Sequence, residues 1–445
     1  LRSCVVTINS IAGLPINACL PCRGYGLDHA KNGKLHAGRY TRKIEATMPA
    51  INPEILVWAR ETAGYELSEA AQRLGLADGK AATGHEKLAA YEQGEKEPSR
   101  PLLLKMSKHY RRPLLTFYLD VPPARADRGR DFRTIHRAVD PSENGMVDAL
   151  VRSIKVRQEV LREALASEQD HERLAFIGSY SLEKGADGLV SQIRAKSGFD
   201  LAVYRSKRSQ EEAFQYLRER IENLGIFTML IGNLGSHHTN LSSEIFRGFA
   251  IADPIAPFVV INDQDAKSAW PVTLLHEVSH LWLGQTGISG AVAEREVERF
   301  CDGVASELLI PETEIAANFS EASLRSLESA ADIIGRFASE RKVSSTLVAF
   351  RLMNRGGLSQ DLFRSLSVFF YEKWRAHKEG QKQKAKENKG GPSYFVVKRM
   401  QNGKALMKAS ERLMRSGELT TTQAAIVLGV RALKVGSLLS QSSAV

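Results

Sequence analysis

The sequence predicts an α+β fold that is mostly α-helical, with a small antiparallel sheet between two helical regions. Three observations predict it. Apolar residues recur at helical spacing from Ile51 to about Tyr118, three β-branched and aromatic runs follow between residues 225 and 262, and helical spacing returns after Pro271. Because 445 residues exceed what one hydrophobic core usually serves, we expect two or three domains.

Composition and cysteine usage limit the class of protein. Apolar residues make up 43% and charged residues 25% of the chain, as in soluble globular proteins, and no run of about 18 uncharged apolar residues offers a transmembrane helix. Four cysteines, at positions 4, 19, 22 and 301, are too few and too clustered for a disulfide framework. We therefore expect a cytoplasmic protein with no membrane partner.

The first 47 residues form the least patterned part of the chain. They begin with Leu1 and show neither sustained periodicity nor the continuous apolar segment of a secretory signal, whereas Met48 and Pro49 open a well-patterned region. We expect residues 1–47 to be disordered or an overlong N-terminal extension.

Residues 48–120 predict five short helices. The first begins near Ile51, and the others span about 67–74, 85–93, 102–110 and 114–118. The second helix is rich in alanine and ends at Gly75. Such a bundle is typical of a helix-turn-helix domain, in which the third helix enters the major groove.

Four segments of this region resemble the repressor-type XRE family. They are residues 58–61 (WARE), 69–74 (EAAQRL), 88–94 (LAAYEQG) and 110–117 (YRRPLLTF). The resemblance implies DNA binding, with His85, Lys87 and Gln93 as the candidate contacts of the third helix. The loop over residues 77–84 is longer than the tight turn of that family, and Glu86 and Glu92 would be repelled by phosphates. A protein-docking or structural bundle is therefore the alternative.

Residues 121–215 predict a linker followed by long amphipathic helices, with Val151, Ile154 and Leu161 in an apolar stripe that favours packing over function. The three strand-like runs then cover about residues 225–232, 246–252 and 258–262. Turn residues separate the runs, which predicts the small antiparallel sheet.

The next helix carries a candidate metal centre. Pro271 suits a first helical turn, and the pattern continues to Gly284. On this helix His276 and His280 stand four residues apart, so both imidazoles lie on one face and can reach one metal ion. Glu277 is one step off that face, where it can act as a general base on a metal-bound water. A pair of core histidines is the alternative interpretation.

A catalytic zinc ion needs a third protein ligand. No third histidine follows closely, but a helix over about residues 292–309 carries five acids, which are Glu294, Glu296, Glu298, Asp302 and Glu307. Glu298 shares a face with two of them and borders the apolar stripe, so we select it as the ligand. Asp302, one turn further on, can orient a histidine. Cys301 lies within the apolar stripe, which favours a buried thiol.

Four segments around this centre resemble the ImmA/IrrE family of metallopeptidases. They are residues 246–250 (FRGFA), 253–262 (DPIAPFVVIN), 273–284 (TLLHEVSHLWLG) and 298–311 (ERFCDGVASELLIP). The resemblance extends over about residues 48–440. It implies a zincin-like core within residues 216–312, zinc bound by His276, His280 and Glu298, and Glu277 as the base. Asp302 stands where Asn is more usual and Ser306 where Ala is, and neither change removes a ligand.

Residues 313–445 predict a helical C-terminal region. Helical spacing extends to about residue 376, a Lys-rich linker lies near residues 373–392, residues 394–397 read as a strand, and residues 420–429 as a capped helix. Much of the net charge of +10 lies near this linker, which is one indication of nucleic-acid binding. The alternative interpretation of these lysines is a solvated linker without a nucleic-acid partner.

Three functions compete. The first is a zinc-dependent endopeptidase of ImmA/IrrE type that cleaves a repressor-like or antitoxin-like regulatory protein, in a transcription-regulation or mobile-element setting. The second is a DNA-binding transcriptional regulator or antitoxin with a vestigial or structural zinc site. The third is a housekeeping peptidase with broad substrates.

Overall fold

The computed structural model describes residues 50–123, 141–168, 172–236, 239–285, 291–319, 324, 326–387 and 391–440. Within these residues the chain is mostly helical and contains one three-stranded sheet. The predicted N-terminal extension, with Cys4, Cys19 and Cys22, lies outside the described residues.

The first helices pack around a core of their own, which includes Leu56, Leu74, Leu88 and Phe117. Their positions agree with the sequence prediction to within about two residues, and the fifth element is a 3-10 helix over Leu114–Tyr118. The four α-helices are α1 (Pro53–Thr62), α2 (Leu67–Leu74), α3 (Gly84–Glu92) and α4 (Arg100–Tyr110).

Among the described residues between 141 and 222 there are one long α-helix and three shorter ones, where the sequence predicted long helices. The breaks have local causes, because Gly198 ends one helix in the left-handed conformation (φ 62°) and the side chains of Asp200 and Ser209 cap the next two. The helices are α5 (Pro141–Ala166), α6 (Ala186–Ser197), α7 (Leu201–Ser206) and α8 (Gln210–Glu222).

The sheet is mixed, so the prediction of an antiparallel sheet is wrong. Its strands are β1 (Phe227–Leu230), β2 (Gly248–Ile251) and β3 (Phe258–Ile261), in the order β1-β3-β2. β3 pairs antiparallel with β2 but parallel with β1. The connection from β1 to β2 is too long for a tight hairpin, so β3 can occupy the position between them.

The two faces of the sheet contribute to different cores, as alternation along a strand requires. Val259 and Ile261 pack with helices α9 (Trp270–Leu283) and α10 (Ala291–Leu309). Phe249 and Val260 pack instead with α5 and with the C-terminal helices. Helix α9 therefore packs against only one of the two faces of the sheet.

The C-terminal region is helical, and two predictions about it are wrong. One helix continues through the predicted Lys-rich break to Glu387, and residues 394–397 begin a helix because Ser393 caps it by accepting a hydrogen bond from the Val396 amide. The predicted helix after Thr420 is confirmed, with a capping box and with Gly429 left-handed (φ 63°). The helices are α11 (Glu312–Asn318), α12 (Leu327–Glu340), α13 (Ser345–Asn354), α14 (Gln360–Glu387), α15 (Tyr394–Ser416), α16 (Thr421–Leu428) and α17 (Ala432–Ser440).

No single helix among the described residues is long and apolar enough to cross a membrane. Helices α16 and α17 meet that test only as a pair, bent by 75°.

A buried ion pair on α8 forms hydrogen bonds with the backbone of α15. Arg218 Nε donates to Glu222 Oε1 at 2.9 Å, and Arg218 Nη1 donates to the Met400 carbonyl at 2.7 Å. The amide of Ala405 donates to Glu222 Oε2 at 3.0 Å. Between these contacts Gly403 has φ 76°, and a Cβ there would lie 2.2 Å from Glu222 Oε1, so the kink in α15 requires glycine.

We expect Glu222→Gln to destabilise the protein by about 3–5 kcal/mol, because it leaves the buried charge of Arg218 without its carboxylate. The urea midpoint of unfolding measures the change. Lys404→Gln is the control, since Lys404 pairs with Glu219 at the surface and its loss should cost about 1 kcal/mol or less. Equal effects of the two substitutions would contradict this role of the buried pair.

Candidate metal centre

Helix α9 holds its polar residues inside the protein. Pro271 occupies the first turn, and Gly284 ends the helix in the left-handed conformation (φ 68°). Nearly every residue between them is buried, and His276, Glu277 and His280 are exposed by only 0%, 1% and 2%. Polar groups at this depth need hydrogen bonds or a bound ion.

The two histidines converge on one point. His276 Nε2 and His280 Nε2 are 3.0 Å apart, and the ring centroids are 4.8 Å apart. This is the result that their spacing of four residues on a helix predicts.

Glu298 of α10 completes a group of three. Its Oε2 lies 3.2 Å from His276 Nε2, and its Oε1 lies 3.5 Å from His280 Nε2. One ligand atom from each residue lies within 4.8 Å of the other two, so the group can hold a metal ion. Two imidazoles and one carboxylate form a donor set that suits zinc and leaves a fourth position for water or substrate. The Glu298 side chain is 28% exposed, so the centre opens on its side.

Asp302 lies behind the first histidine. Its Oδ1 is 2.9 Å from His276 Nδ1. When Nδ1 donates its proton to this carboxylate, the lone pair of His276 Nε2 faces the other two ligand atoms. The structure thus brings Asp302 to the position that the sequence predicted for a residue that orients a histidine.

The strand next to α9 contributes a position that the sequence reasoning missed. A Cβ at Gly248, the first residue of β2, would lie 2.8 Å from Glu277 Oε1 and 2.7 Å from Thr273 Cγ2. The backbone of β2 therefore passes directly over the glutamate. A glycine inside a strand pattern often marks such a close approach, and this signal was present in the run FRGFA.

Among the described side chains of α10, Glu296, Glu307 and Cys301 do not join the group. Glu296 is exposed, and the guanidinium of Arg351 contacts Glu307. Cys301 is fully buried in the apolar core, as predicted. The side chain of Glu294 lies outside the described residues.

The three candidate DNA contacts lie at the two ends of α3. His85 Nδ1 is 3.1 Å from Thr83 Oγ1, and Lys87 Nζ donates to the Ala77 carbonyl at 2.7 Å. Gln93 is the C-cap residue. Beside His85, hydrogen bonds from the backbone and then the side chain of Thr83 lower the pKa of the Glu86 carboxyl, so this carboxylate at the start of the helix stays ionised to lower pH. Their role in binding DNA stays a prediction.

We expect Asp302→Ala to lower zinc affinity by about 10–100-fold, because His276 loses the acceptor that fixes its ring and tautomer. Competition with a zinc chelator measures the affinity. Asp302→Asn keeps an acceptor oxygen and should lose less. Ser306→Ala, one turn further along α10, is the matched control and should bind zinc like the unchanged chain, whereas an Asp302→Ala chain of unchanged affinity would refute the contact.

Two buried histidines and a carboxylate, with a glutamate next to them on the same helix, form the arrangement of a metal-dependent hydrolase. Residues 230–353 match the family model of the IrrE N-terminal-like domain, Peptidase_M78. This stretch contains β2, β3 and all four residues of the centre, and the match supports a metallopeptidase of the ImmA/IrrE type. Neither the curated proteins nor the solved structures contain a match to the chain.

Proposed function

We propose that the protein is a zinc-dependent endopeptidase that cleaves a repressor-like or antitoxin-like regulatory protein. The observation that carries this proposal is the convergence of His276, His280 and Glu298 beside Glu277. The match to the IrrE N-terminal-like domain supports the same class.

The residues of the centre divide the chemistry among them. His276, His280 and Glu298 would hold the zinc ion, which when bound would supply the Lewis acidity that acidifies water and polarises a carbonyl group. Glu277 accepts the proton of the attacking water and then delivers it to the nitrogen of the leaving amine. Asp302 holds His276 in the tautomer that binds metal.

The edge of the sheet favours a peptide as the substrate. The Asn262 amide donates to the Arg247 carbonyl at 2.8 Å, which makes their pair hydrogen-bonded. Hydrogen-bonded and non-hydrogen-bonded residue pairs alternate along two antiparallel strands. The N–H and C=O groups of Gly248 and Ala250, which belong to non-hydrogen-bonded pairs, therefore point away from β3. In the described sheet β2 is an edge strand, so an extended peptide can add to it next to Glu277.

We expect Gly248→Ala to reduce the rate constant of peptide cleavage by about tenfold or more, because the new methyl group displaces the Glu277 carboxylate from its position. Turnover of a labelled substrate measures the rate, and metal analysis should show an unchanged zinc content. Gly303→Ala is the matched control, since a Cβ at Gly303 has no neighbour within 4 Å. Full activity of the Gly248 variant would contradict the close approach of β2.

The identity of the substrate can be tested by incubating the zinc-loaded chain with an XRE-type repressor encoded next to its gene. We expect one or a few defined cuts, detected by mass spectrometry. Degradation of unfolded casein without defined cuts in the repressor would favour a housekeeping peptidase. Tight operator binding without any cleavage would favour the DNA-binding regulator, and either result would refute the proposed substrate.

A further inference from the structure

An open groove lies between α5 and the end of β2. One wall is formed by four residues of α5 between Lys155 and Glu159, and the other by residues 251–253. We call it the α5 groove. Its volume of about 450 Å³ lies in the range of ligand pockets, which is roughly 300–1,000 Å³. The groove is therefore large enough to hold a side chain of a bound peptide.

The α5 groove continues the strand edge to which a peptide can add. Gly248, the first residue of β2, lies next to Glu277. Ile251 follows Gly248 by three residues, which is about 10 Å along a strand. A peptide that pairs with the edge of β2 beside Glu277 and extends in this direction therefore passes the groove.

The alternation of side chains along a strand decides which residue of the peptide faces the groove. A Cβ at Gly248 would point toward Glu277 of α9, whereas the Ile251 side chain packs in the core that contains α5. Residues directly opposite one another on neighbouring strands share a face of the sheet. The peptide residue opposite Gly248 thus faces the metal centre, and the residue opposite Ile251 faces the α5 groove.

Three polar side chains of the groove have partners within the protein. Asp253 Oδ2 accepts a hydrogen bond from Arg162 Nε at 3.1 Å, and its Oδ1 accepts from two backbone amides, both at 2.8 Å. Glu159 pairs with Arg162 at 3.4 Å, and Gln158 Nε2 donates to the Ala256 carbonyl at 3.3 Å. A charged side chain that entered the groove would have to compete with these contacts.

Aliphatic side chains supply another part of the lining. Val156 projects from α5 with 54% of its surface exposed, and Ile251 and the partly buried Ala252 stand across from it. Burial of apolar surface against these residues is favourable, at about 25 cal/mol per Å². The lining therefore favours an aliphatic side chain over a polar one.

We propose that the α5 groove is a substrate subsite that accepts an aliphatic side chain about three residues from the cut bond. This inference rests on the proposed peptidase function, since it assigns one position of the substrate. Helix α5 lies outside residues 230–353, which match the family model. A helix that the match does not include therefore takes part in substrate selection. The competing explanation is a surface crease that no substrate enters.

The test is the cleavage of a mixture of synthetic random-sequence peptides by the full zinc-loaded chain, with the cuts located by mass spectrometry. We expect aliphatic residues to be enriched about tenfold over polar ones about three positions from the cut, on one side only. Val156→Arg should abolish this enrichment, because its long charged side chain occupies the groove. Val203→Arg on α7 is the matched control, since Val203 is an exposed valine outside the groove, and it should keep the enrichment.

Steady-state rates on one cleaved peptide separate a subsite from a general loss of structure. The effect of Val156→Arg should appear mainly in KM, as expected for a lost binding contact away from the reacting atoms. The subsite is overturned if the unchanged chain shows no enrichment at this position, if Val156→Arg keeps it, or if that variant slows the cleavage of all peptides equally. A chain that cuts no peptide at all would instead overturn the peptidase function itself.

Discussion

Glu277→Gln should lower the rate constant for peptide cleavage by about 10³-fold or more without reducing the zinc content. General acid-base catalysis contributes roughly 10²- to 10⁴-fold, and an amide can neither accept the proton of water nor return it to the leaving amine. Because Glu277 lies beside the three candidate ligands and not among them, the metal should remain bound. Single-turnover cleavage and metal analysis on the same sample measure the two effects.

Glu277→Asp is the informative companion variant. It keeps a carboxylate but withdraws it by one methylene, so we expect a loss of rate smaller than that of the glutamine variant. Equal residual rates in both variants would show that position matters as much as charge. Undiminished cleavage by Glu277→Gln would refute its role as the base.

The second large effect concerns the carboxylate ligand. We expect Glu298→Gln to weaken zinc binding by more than about 100-fold, because only the two histidines then hold the ion. This loss exceeds the roughly 10–100-fold expected for a residue such as Asp302, which contacts a ligand and not the metal. Chelator competition measures the affinity, and cleavage should fall with zinc occupancy.

Glu296→Gln provides the matched control for this variant. Glu296 is an exposed glutamate two residues earlier on the same helix. It should bind zinc and cleave substrate like the unchanged chain. If Glu296→Gln instead loses zinc while Glu298→Gln keeps it, the ligand has been assigned to the wrong acid.

A structural feature could be predicted from the sequence when the residues that form it lie close together along the chain. The convergence of His276 and His280 follows from a spacing of four on one helix, so the pattern alone was sufficient. Helix ends at Gly75, Gly284 and Gly429 were predictable for the same local reason, since each glycine adopts the left-handed conformation.

Features that depend on distant parts of the chain were not predictable in this way. The parallel pairing of β1 with β3 is fixed by which strand occupies the centre of the sheet, and no local pattern specifies that order. The run from Tyr394 to Val397 has strand propensity, but the cap at Ser393 and the packing of α15 on the sheet favour a helix. Gly248 carried a signal, yet its meaning depends on the position of Glu277 on another element.

The selection of Glu298 as the third ligand depended partly on local spacing and partly on contacts between distant parts of the chain. Helical periodicity narrowed five acids to one face of α10, but the distance to the histidines depends on how α10 packs against α9. The structure brings Glu298 to both imidazoles and Asp302 to His276 alone.

The most direct test of the central claim is a crystal structure of the zinc-loaded chain with anomalous data collected at the zinc absorption edge. We expect one strong anomalous peak within bonding distance, about 2.0–2.2 Å, of His276 Nε2, His280 Nε2 and a Glu298 carboxylate oxygen. A fully loaded crystal with no peak between these residues, or with its peak at another site, would contradict the proposed metallopeptidase centre.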